Sequence, residues 1–121
     1  MLRALNVTKG TVIARQVAVA DTSETRRQGL LGRDGLEAGE GLWLVPCEWV
    51  HMFVIRFPID IVVLNRDSRV VGVQENLRPG WIAKFFWGAE STLELPVGAV
   101  RASNTVRGDR VTWEEIHGEA D

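Results

Sequence analysis

The chain has 121 residues, of which 45% are hydrophobic and 25% charged, and its formal net charge is −2. This length and composition indicate one globular domain with its own core and exclude a disordered chain. The slight acidity gives no electrostatic reason to expect a nucleic-acid partner.

The sequence context points to the cytoplasm. The single cysteine, Cys47, excludes an internal disulfide and fits a reducing compartment. Residues 1–10 lack the apolar core of a signal peptide, and no apolar run approaches transmembrane length. We therefore expect a cytoplasmic protein with no membrane partner and no cofactor.

The first half of the chain predicts strands around one helix. Strands are expected over 2–8, 11–20 and 41–45, with a turn at Lys9-Gly10. Asp21 or Thr22 begins a helix that is expected to run to Leu31 and to end at Gly32. Residues 33–41 predict a loop whose acids would repel a phosphate.

Residues 49–64 are the longest mostly apolar stretch, and the remainder of the predicted fold is built around them. Alternation predicts one strand over 51–57 and another over 59–64, separated by Pro58, which cannot donate a ladder hydrogen bond. Turn residues at 65–68 and a returning strand over 69–75 complete a hairpin.

The second half predicts further short elements. Residues 76–80 turn away from the hairpin. Residues 81–88 carry four aromatics, for which burial or partial burial is the default and a ligand or protein contact surface is the alternative. The remaining predictions are a strand over 89–96, a short helix over 97–104, a turn at 107–109, a strand over 110–116 and a frayed tail over 117–121. The predicted fold class is mainly β (α+β): a single-domain, barrel-like antiparallel sheet with one helix packed on it and a short second helix.

Asp60 is the most informative polar residue, because a carboxylate among Ile59, Ile61 and Val62 is costly to bury without partners. It is either a structural acid that accepts hydrogen bonds from backbone amides near Pro58, or a binding or acid/base group in a cleft. His51 allows the same two interpretations.

Other constellations are weaker. Cys47 and His51 lie about 13 Å apart if the chain between them is a strand, which argues against a nucleophile–base pair. The candidate metal ligands His51, Asp60, Glu48, Glu94 and His117 show no metal-binding spacing, so no metal is predicted. A carboxylate pair of Asp60 and Glu94 would need a tertiary contact. Arg26, Arg27 and Arg33 are expected to form a solvated helix face.

Several segments resemble one known family. They are residues 22–33 (TSETRRQGLLGR), 41–44 (GLWL), 51–60 (HMFVIRFPID), 77–81 (LRPGW) and 93–98 (LELPVG). In this order they are similar to domain-of-unknown-function family 192, also called uncharacterised protein family 0127, over about residues 12–111. The resemblance implies a compact, mainly β, barrel-like domain in bacteria or archaea, and it implies no established activity. Many relatives carry Trp-Met-Lys-Asn where this chain has Val50 to Phe53, so a lysine-based mechanism would not transfer.

The leading functional hypothesis is a non-enzymatic module that binds a small molecule or peptide in a cleft near His51 and Asp60. One alternative is a small hydrolase or lyase that uses Asp60 or His51 as the acid/base group. The other is a protein-interaction module that uses residues 81–87. The candidate binding residues are His51, Phe53, Arg56, Asp60, Arg78, Trp81, Trp87 and Glu94.

Overall fold

The computed structural model describes residues 1–116, so the predicted tail at 117–121 lies outside the described residues. The described elements are β1 (Leu2–Asn6), β2 (Thr11–Ala20), α1 (Ser23–Gln28), β3 (Glu40–Leu44), β4 (Ile59–Leu64), β5 (Val70–Leu77), β6 (Ser91–Pro96), α2 (Ala99–Ala102) and β7 (Val111–Glu115). The strands form a single sheet in the order β5-β4-β6-β3-β2-β1-β7.

The sheet is antiparallel except at one pair. β2 and β3 are parallel, with Gln16 opposite Glu40 and Ala20 opposite Leu44. The antiparallel sheet that the sequence predicts therefore has one exception, the β2–β3 pair. Parallel neighbours need a crossover connection, and here α1 and the loop that follows it return the chain to the starting end of β2.

The sheet curls until its two edge strands approach each other at one point. Arg69, just before β5, forms an isolated bridge with Arg110, just before β7. The Val70 amide donates to the Asp109 carbonyl at 2.8 Å, and the Val111 amide donates to the Ser68 carbonyl at 2.9 Å. The result is a curled half-barrel, which confirms the predicted mainly β, barrel-like fold.

A buried carboxylate stabilises this meeting point. Asp109 is 4% exposed, and its Oδ2 accepts hydrogen bonds from the Asn6 side chain at 2.9 Å, the Lys9 ammonium at 2.9 Å and the Val106 amide at 3.0 Å. Burial acts to raise the pKa of the Asp109 carboxyl, but these hydrogen bonds outweigh burial and lower that pKa below its ordinary value. The ionised carboxylate thus holds β1 and the turn before β7 together.

Both faces of the central strands are covered, which explains why their sequences are almost continuously apolar. On the inner face, Val62 and Leu64 of β4 pack with Leu93 and Leu95 of β6. On the outer face, the alternate β4 residues Ile59, Ile61 and Val63 contact a second cluster, which includes Leu30, Val50, Met52 and Ala83 from outside the strands. Chain segments 46–58 and 78–90 form the layer that covers this outer face.

The helix α1 begins as predicted but is shorter. Thr22 is its N-cap: the Thr22 hydroxyl accepts from the Thr25 amide, while the Thr25 hydroxyl accepts from the Thr22 amide. The helix ends at Gln28 because Gly29 has φ +44° and breaks the helical path. Leu30, which the sequence places inside the helix, lies beyond its end and is buried in the outer cluster.

The predicted strand over 51–57 does not form. His51 makes an isolated bridge with Ile82, and residues 53–54 are a turn in which Val54 has φ +57°. A β-branched residue rarely adopts this conformation, and sequence alternation does not reveal it. The segment is apolar because alternate side chains, Val50 and Met52, pack on the outer face of the sheet. The hairpin of β4 and β5 that follows is confirmed.

Candidate functional site: a pocket on the outer face of the sheet

A pocket of about 370 Å³ lies between the outer face of the sheet, the C-terminal end of α1 and segment 46–55. Its walls are mainly apolar and include Leu30, Leu31, Leu44, Pro46, Val50 and Ile55. An apolar cavity of this size with a few polar groups is the usual form of a small-molecule site. The polar groups of this pocket therefore determine what it can bind.

Glu94 is the buried acid of the pocket. It lies on β6, where Leu42 of β3 and Ile61 of β4 are its direct cross-strand neighbours. Only 6% of Glu94 is exposed, and burial raises the pKa of its carboxyl to about 7. Near neutral pH the carboxyl is therefore divided between the protonated form, which donates a hydrogen bond, and the ionised form, which only accepts.

Two arginines bring positive charge to the pocket. Arg26 and Arg27 occupy the last turn of α1 and both line the cavity. Arg27 is exposed, as expected for a solvated helix face, whereas Arg26 is half-buried. Guanidinium groups bind carboxylates and phosphates in planar, bidentate geometry, so this side of the pocket suits an anionic group.

Aromatic side chains line the pocket along segment 49–54. The Trp49 indole donates to the Ala83 carbonyl at 2.9 Å, which ties its ring to the neighbouring segment. The His51 and Phe53 ring centroids lie 4.8 Å apart in a tilted pair, and both residues are exposed. The strained backbone of Val54 also lies here, and such conformations cluster at binding sites.

Cys47 lines the same pocket as His51, although their spacing in a strand argued against a nucleophile–base pair. That argument assumed a strand, and this segment is not one. Burial raises the pKa of the Cys47 thiol, and the nearby charge of Glu94 adds to the effect. The thiol is therefore protonated at neutral pH and is a weak nucleophile.

Asp60 does not belong to the pocket. It is fully buried on the inner face of the sheet: its Oδ1 accepts from the Asn76 amide at 2.9 Å, and its Oδ2 accepts from the amides of Gly98 and Val100 at 3.0 and 3.1 Å. These bonds fasten α2 to the sheet and support the structural interpretation of Asp60. Because Glu94 is opposite Ile61, on the outer face, the two carboxylates cannot form a pair.

Four other predicted site residues lie outside the pocket. Arg56 forms an exposed ion pair with Asp34 at 3.0 Å. Arg78 lies over the Trp81 ring, 6.0 Å from its centroid. Trp81 is 50% exposed, in line with the partial burial expected for this segment. Trp87 is 86% exposed, so the expectation is wrong at that position.

The pocket therefore unites three predicted residues, His51, Phe53 and Glu94, and excludes Arg56, Asp60, Arg78, Trp81 and Trp87. Sequence reasoning missed Arg26, Arg27, Cys47 and Trp49 as lining residues. The sequence did contain one signal for the two arginines. They lie shortly before the apolar pair Leu30-Leu31, and that pair indicates that this end of the predicted helix faces the sheet.

Within residues 1–116, no three His, Cys, Asp or Glu side chains cluster in a way that would hold a metal ion. None of the helices in this part of the chain has the length and apolarity needed to cross a bilayer.

Comparisons with known proteins agree with this fold. Archaeal UPF0127 proteins are similar over most of the chain: one from Thermococcus sibiricus is 30% identical over 91% of this chain and 73% of its own length, and one from Pyrococcus furiosus is 31% identical over 93% and 98%. A crystal structure of a protein of unknown function from Novosphingobium aromaticivorans has a TM-score of 0.76 at 26% identity, covering 93% of this chain and 83% of that one.

A crystal structure from Sinorhizobium meliloti, described as that of a "putative transcription regulator", has a TM-score of 0.75 at 22% identity. The match covers 93% of this chain and 91% of the Sinorhizobium meliloti chain, and at this identity it shows that the two folds are similar and nothing more. The model of the DUF192 family, described as "Uncharacterized ACR, COG1430", matches residues 4–113. The chain therefore belongs to the DUF192 family.

Proposed function

We propose that this protein is a small binding module that holds an amphipathic organic anion, as a small molecule or the end of a peptide, in the pocket above Glu94. The observation that carries the proposal is the buried Glu94 carboxyl in the wall of a mainly apolar cavity of about 370 Å³. Burying a carboxyl among Leu42 and Ile61 lowers stability, and proteins often retain such groups at functional sites.

The arrangement of the polar groups suggests how the ligand lies. Its anionic group pairs with Arg26 and Arg27 at the end of α1, where the guanidinium groups are accessible. Its apolar body contacts the walls near Leu44 and Val50. A carbonyl or hydroxyl further along the ligand forms a hydrogen bond with Glu94, which donates when protonated.

The hydrolase or lyase alternative receives less support. Asp60 is sealed in the inner core and has no access to a substrate. Burial raises the pKa of the Cys47 thiol, which disfavours the thiolate that a nucleophilic mechanism needs. His51 is exposed at the pocket. Asp60, the other proposed acid/base group, lies on the opposite face of the sheet.

The proposal is tested by NMR titration of the ¹⁵N-labelled protein with a panel of aromatic carboxylates and medium-chain fatty acids. We expect chemical-shift changes concentrated in residues 26–31, 44–55 and 94. The double variant Arg26→Ala/Arg27→Ala should raise Kd at least tenfold, because it removes the charge-assisted hydrogen bonds.

The matched control is Arg66→Ala/Arg107→Ala, which removes two exposed arginines from turns that do not line the pocket. Its Kd should equal that of the wild type. Shift changes located elsewhere, or an equal loss of affinity in both double variants, would overturn the assignment of this pocket as the binding site.

A further inference from the structure

Exposed aromatic side chains are concentrated in one region of the described chain. Among residues 1–116, thirteen large hydrophobic residues are exposed, and seven of them lie in two segments, 49–54 and 81–87. We call these seven the aromatic face: Trp49, Phe53, Val54, Trp81, Ile82, Phe85 and Trp87. All five exposed aromatic residues of the described chain belong to it, so the clustering is not the ordinary scatter of apolar side chains over a protein surface.

The two segments are held side by side by their backbones. The Met52 amide donates to the Trp81 carbonyl at 2.7 Å, and the Ala83 amide donates to the Val50 carbonyl at 3.0 Å. His51 and Ile82 form an antiparallel bridge between these contacts. The aromatic face is therefore presented by one paired unit of two segments.

Each segment already uses its inward positions for the core. Val50, Met52 and Ala83 are buried in the outer cluster, and the Phe86 ring packs directly over Gly72 of β5. Exposed residues flank each of these anchors on both sides. Phe85 and Trp87, on either side of Phe86, contact each other edge-to-face at 5.3 Å and stand 58% and 86% exposed.

The charge around the aromatic face is opposite in sign to that of the whole chain. Segments 46–58 and 78–90 carry the cations Arg56, Arg78 and Lys84 and the acids Glu48 and Glu90. The adjoining pocket adds two further arginines and one buried acid, Glu94, whereas the whole chain has 14 basic and 16 acidic residues. One exposed acid, Asp34, pairs with Arg56. Cations therefore predominate here on an otherwise acidic protein, which makes this region complementary to an anionic partner.

We propose that the aromatic face docks the protein on the surface of an anionic lipid bilayer. Tryptophan, phenylalanine, arginine and lysine together are the side chains favoured at the membrane–water interface. The most exposed members, Trp87 and Val54, lie on different segments and are 86% and 77% exposed. A bilayer accommodates such side chains one by one, whereas a protein partner would need a matching cavity for each.

This proposal departs from the sequence-based expectation of no membrane partner. That expectation depended on the lack of an apolar run of transmembrane length, which concerns crossing a bilayer and not lying on its surface. The aromatic face shares Trp49, Phe53 and Val54 with the pocket, but Phe85 and Trp87 do not line that cavity. Substitution of Phe85 and Trp87 therefore tests membrane docking separately from the ligand proposed for the pocket.

Co-sedimentation of the full-length protein with vesicles tests the proposal. One vesicle preparation contains phosphatidylcholine with 30% phosphatidylglycerol, and the other contains phosphatidylcholine alone. We expect binding to the anionic vesicles that is at least tenfold stronger than to the neutral ones. Phe85→Ala/Trp87→Ala should lower the partition coefficient at least tenfold, and Arg78→Glu/Lys84→Glu should lower it similarly.

Each variant has a matched control. Val97→Ala/Val106→Ala removes two apolar side chains that are 49% and 48% exposed outside the aromatic face, and Arg66→Glu/Arg107→Glu makes the same charge change elsewhere. Both controls should bind like the wild type. Circular dichroism and melting temperature establish that all variants are folded.

Three results would overturn the proposal. One is the lack of binding to the anionic vesicles, and another is unchanged binding by Phe85→Ala/Trp87→Ala. The third is self-association of the wild type that this double variant abolishes, without vesicle binding, since the aromatic face would then join two copies of the chain.

Discussion

Ionisation of Glu94 is expected to destabilise the folded protein as the pH rises from 5 to 8. In the unfolded chain the carboxyl titrates with its ordinary pKa of 4.5, whereas burial raises the pKa in the folded protein to about 7. The difference between these pKa values corresponds to about 3 kcal/mol of unfolding free energy. Stability contributed by the protonated carboxyl is complete below pH 4.5, declines as the pH rises, and is lost once the pH passes through about 7.

The variant Glu94→Gln isolates this effect because it keeps the shape of the side chain and does not ionise. The unfolding free energies of wild type and variant are measured by urea denaturation, followed by tryptophan fluorescence, at pH 5, 6, 7 and 8. Titration of the other groups is common to both proteins and cancels in the difference. We expect the unfolding free energy of the variant to rise by about 2–3 kcal/mol relative to the wild type between pH 5 and pH 8.

The control is Glu48→Gln, which removes an acid at an exposed position, where solvent screens its charge. Its stability relative to the wild type should stay constant over the same pH range. If the difference between Glu94→Gln and the wild type also stays constant within about 0.5 kcal/mol, the Glu94 carboxyl is hydrated in both states, and the inference from burial is wrong.

Three other substitutions test the fold by chemical or thermal denaturation. Asp60→Asn should lower the unfolding free energy by about 2–4 kcal/mol, because an amide group replaces one of the two oxygens that together accept three backbone hydrogen bonds. An unchanged melting temperature would contradict the structural role of Asp60. Gly72→Ala should cost about 1–3 kcal/mol, because its new Cβ overlaps the Phe86 ring. That cost should fall in a Phe86→Ala background, and Gly35→Ala, which meets nothing within 4 Å, should be nearly neutral. Asp109→Ala should cost about 2–3 kcal/mol at pH 7, and the difference from wild type should shrink as the pH falls below 3.8, since the stabilising charge is then lost.

The strands were predictable wherever local pattern and packing agree. β2 was expected over 11–20 and spans Thr11–Ala20. The turn residues between β4 and β5 leave few alternatives to a hairpin, and a hairpin forms. The parallel pairing of β2 and β3 was not predictable from alternation, because period-two patterning does not show which strand lies beside which. It depends on where the loop after α1 returns the chain.

The site was less predictable, because its members converge only through the tertiary fold. The sequence singles out Asp60 as an acid in an apolar strand, and the same description fits Glu94 between Leu93 and Leu95. Alternation places a residue on one of two faces but does not show which face carries a pocket. The two faces differ because segments 46–58 and 78–90 form a layer over the outer face. That layer includes the turn at Val54, which the sequence does not predict.

The pairing of β1 with β7 affects how this chain folds. Leu2 lies opposite Glu115, and the Ile116 amide donates to the Met1 carbonyl at 3.1 Å, so contacts across more than a hundred residues complete the sheet. Such long-range closure slows folding, and on the ribosome one edge of β1 remains without its partner until β7 emerges. The same adjacency makes the fold suited to circular permutation, since a short linker would join residues 116 and 1. A permutant opened at the exposed turn 66–67, which precedes β5, would bring β7 to the ribosome exit much closer in time to β1.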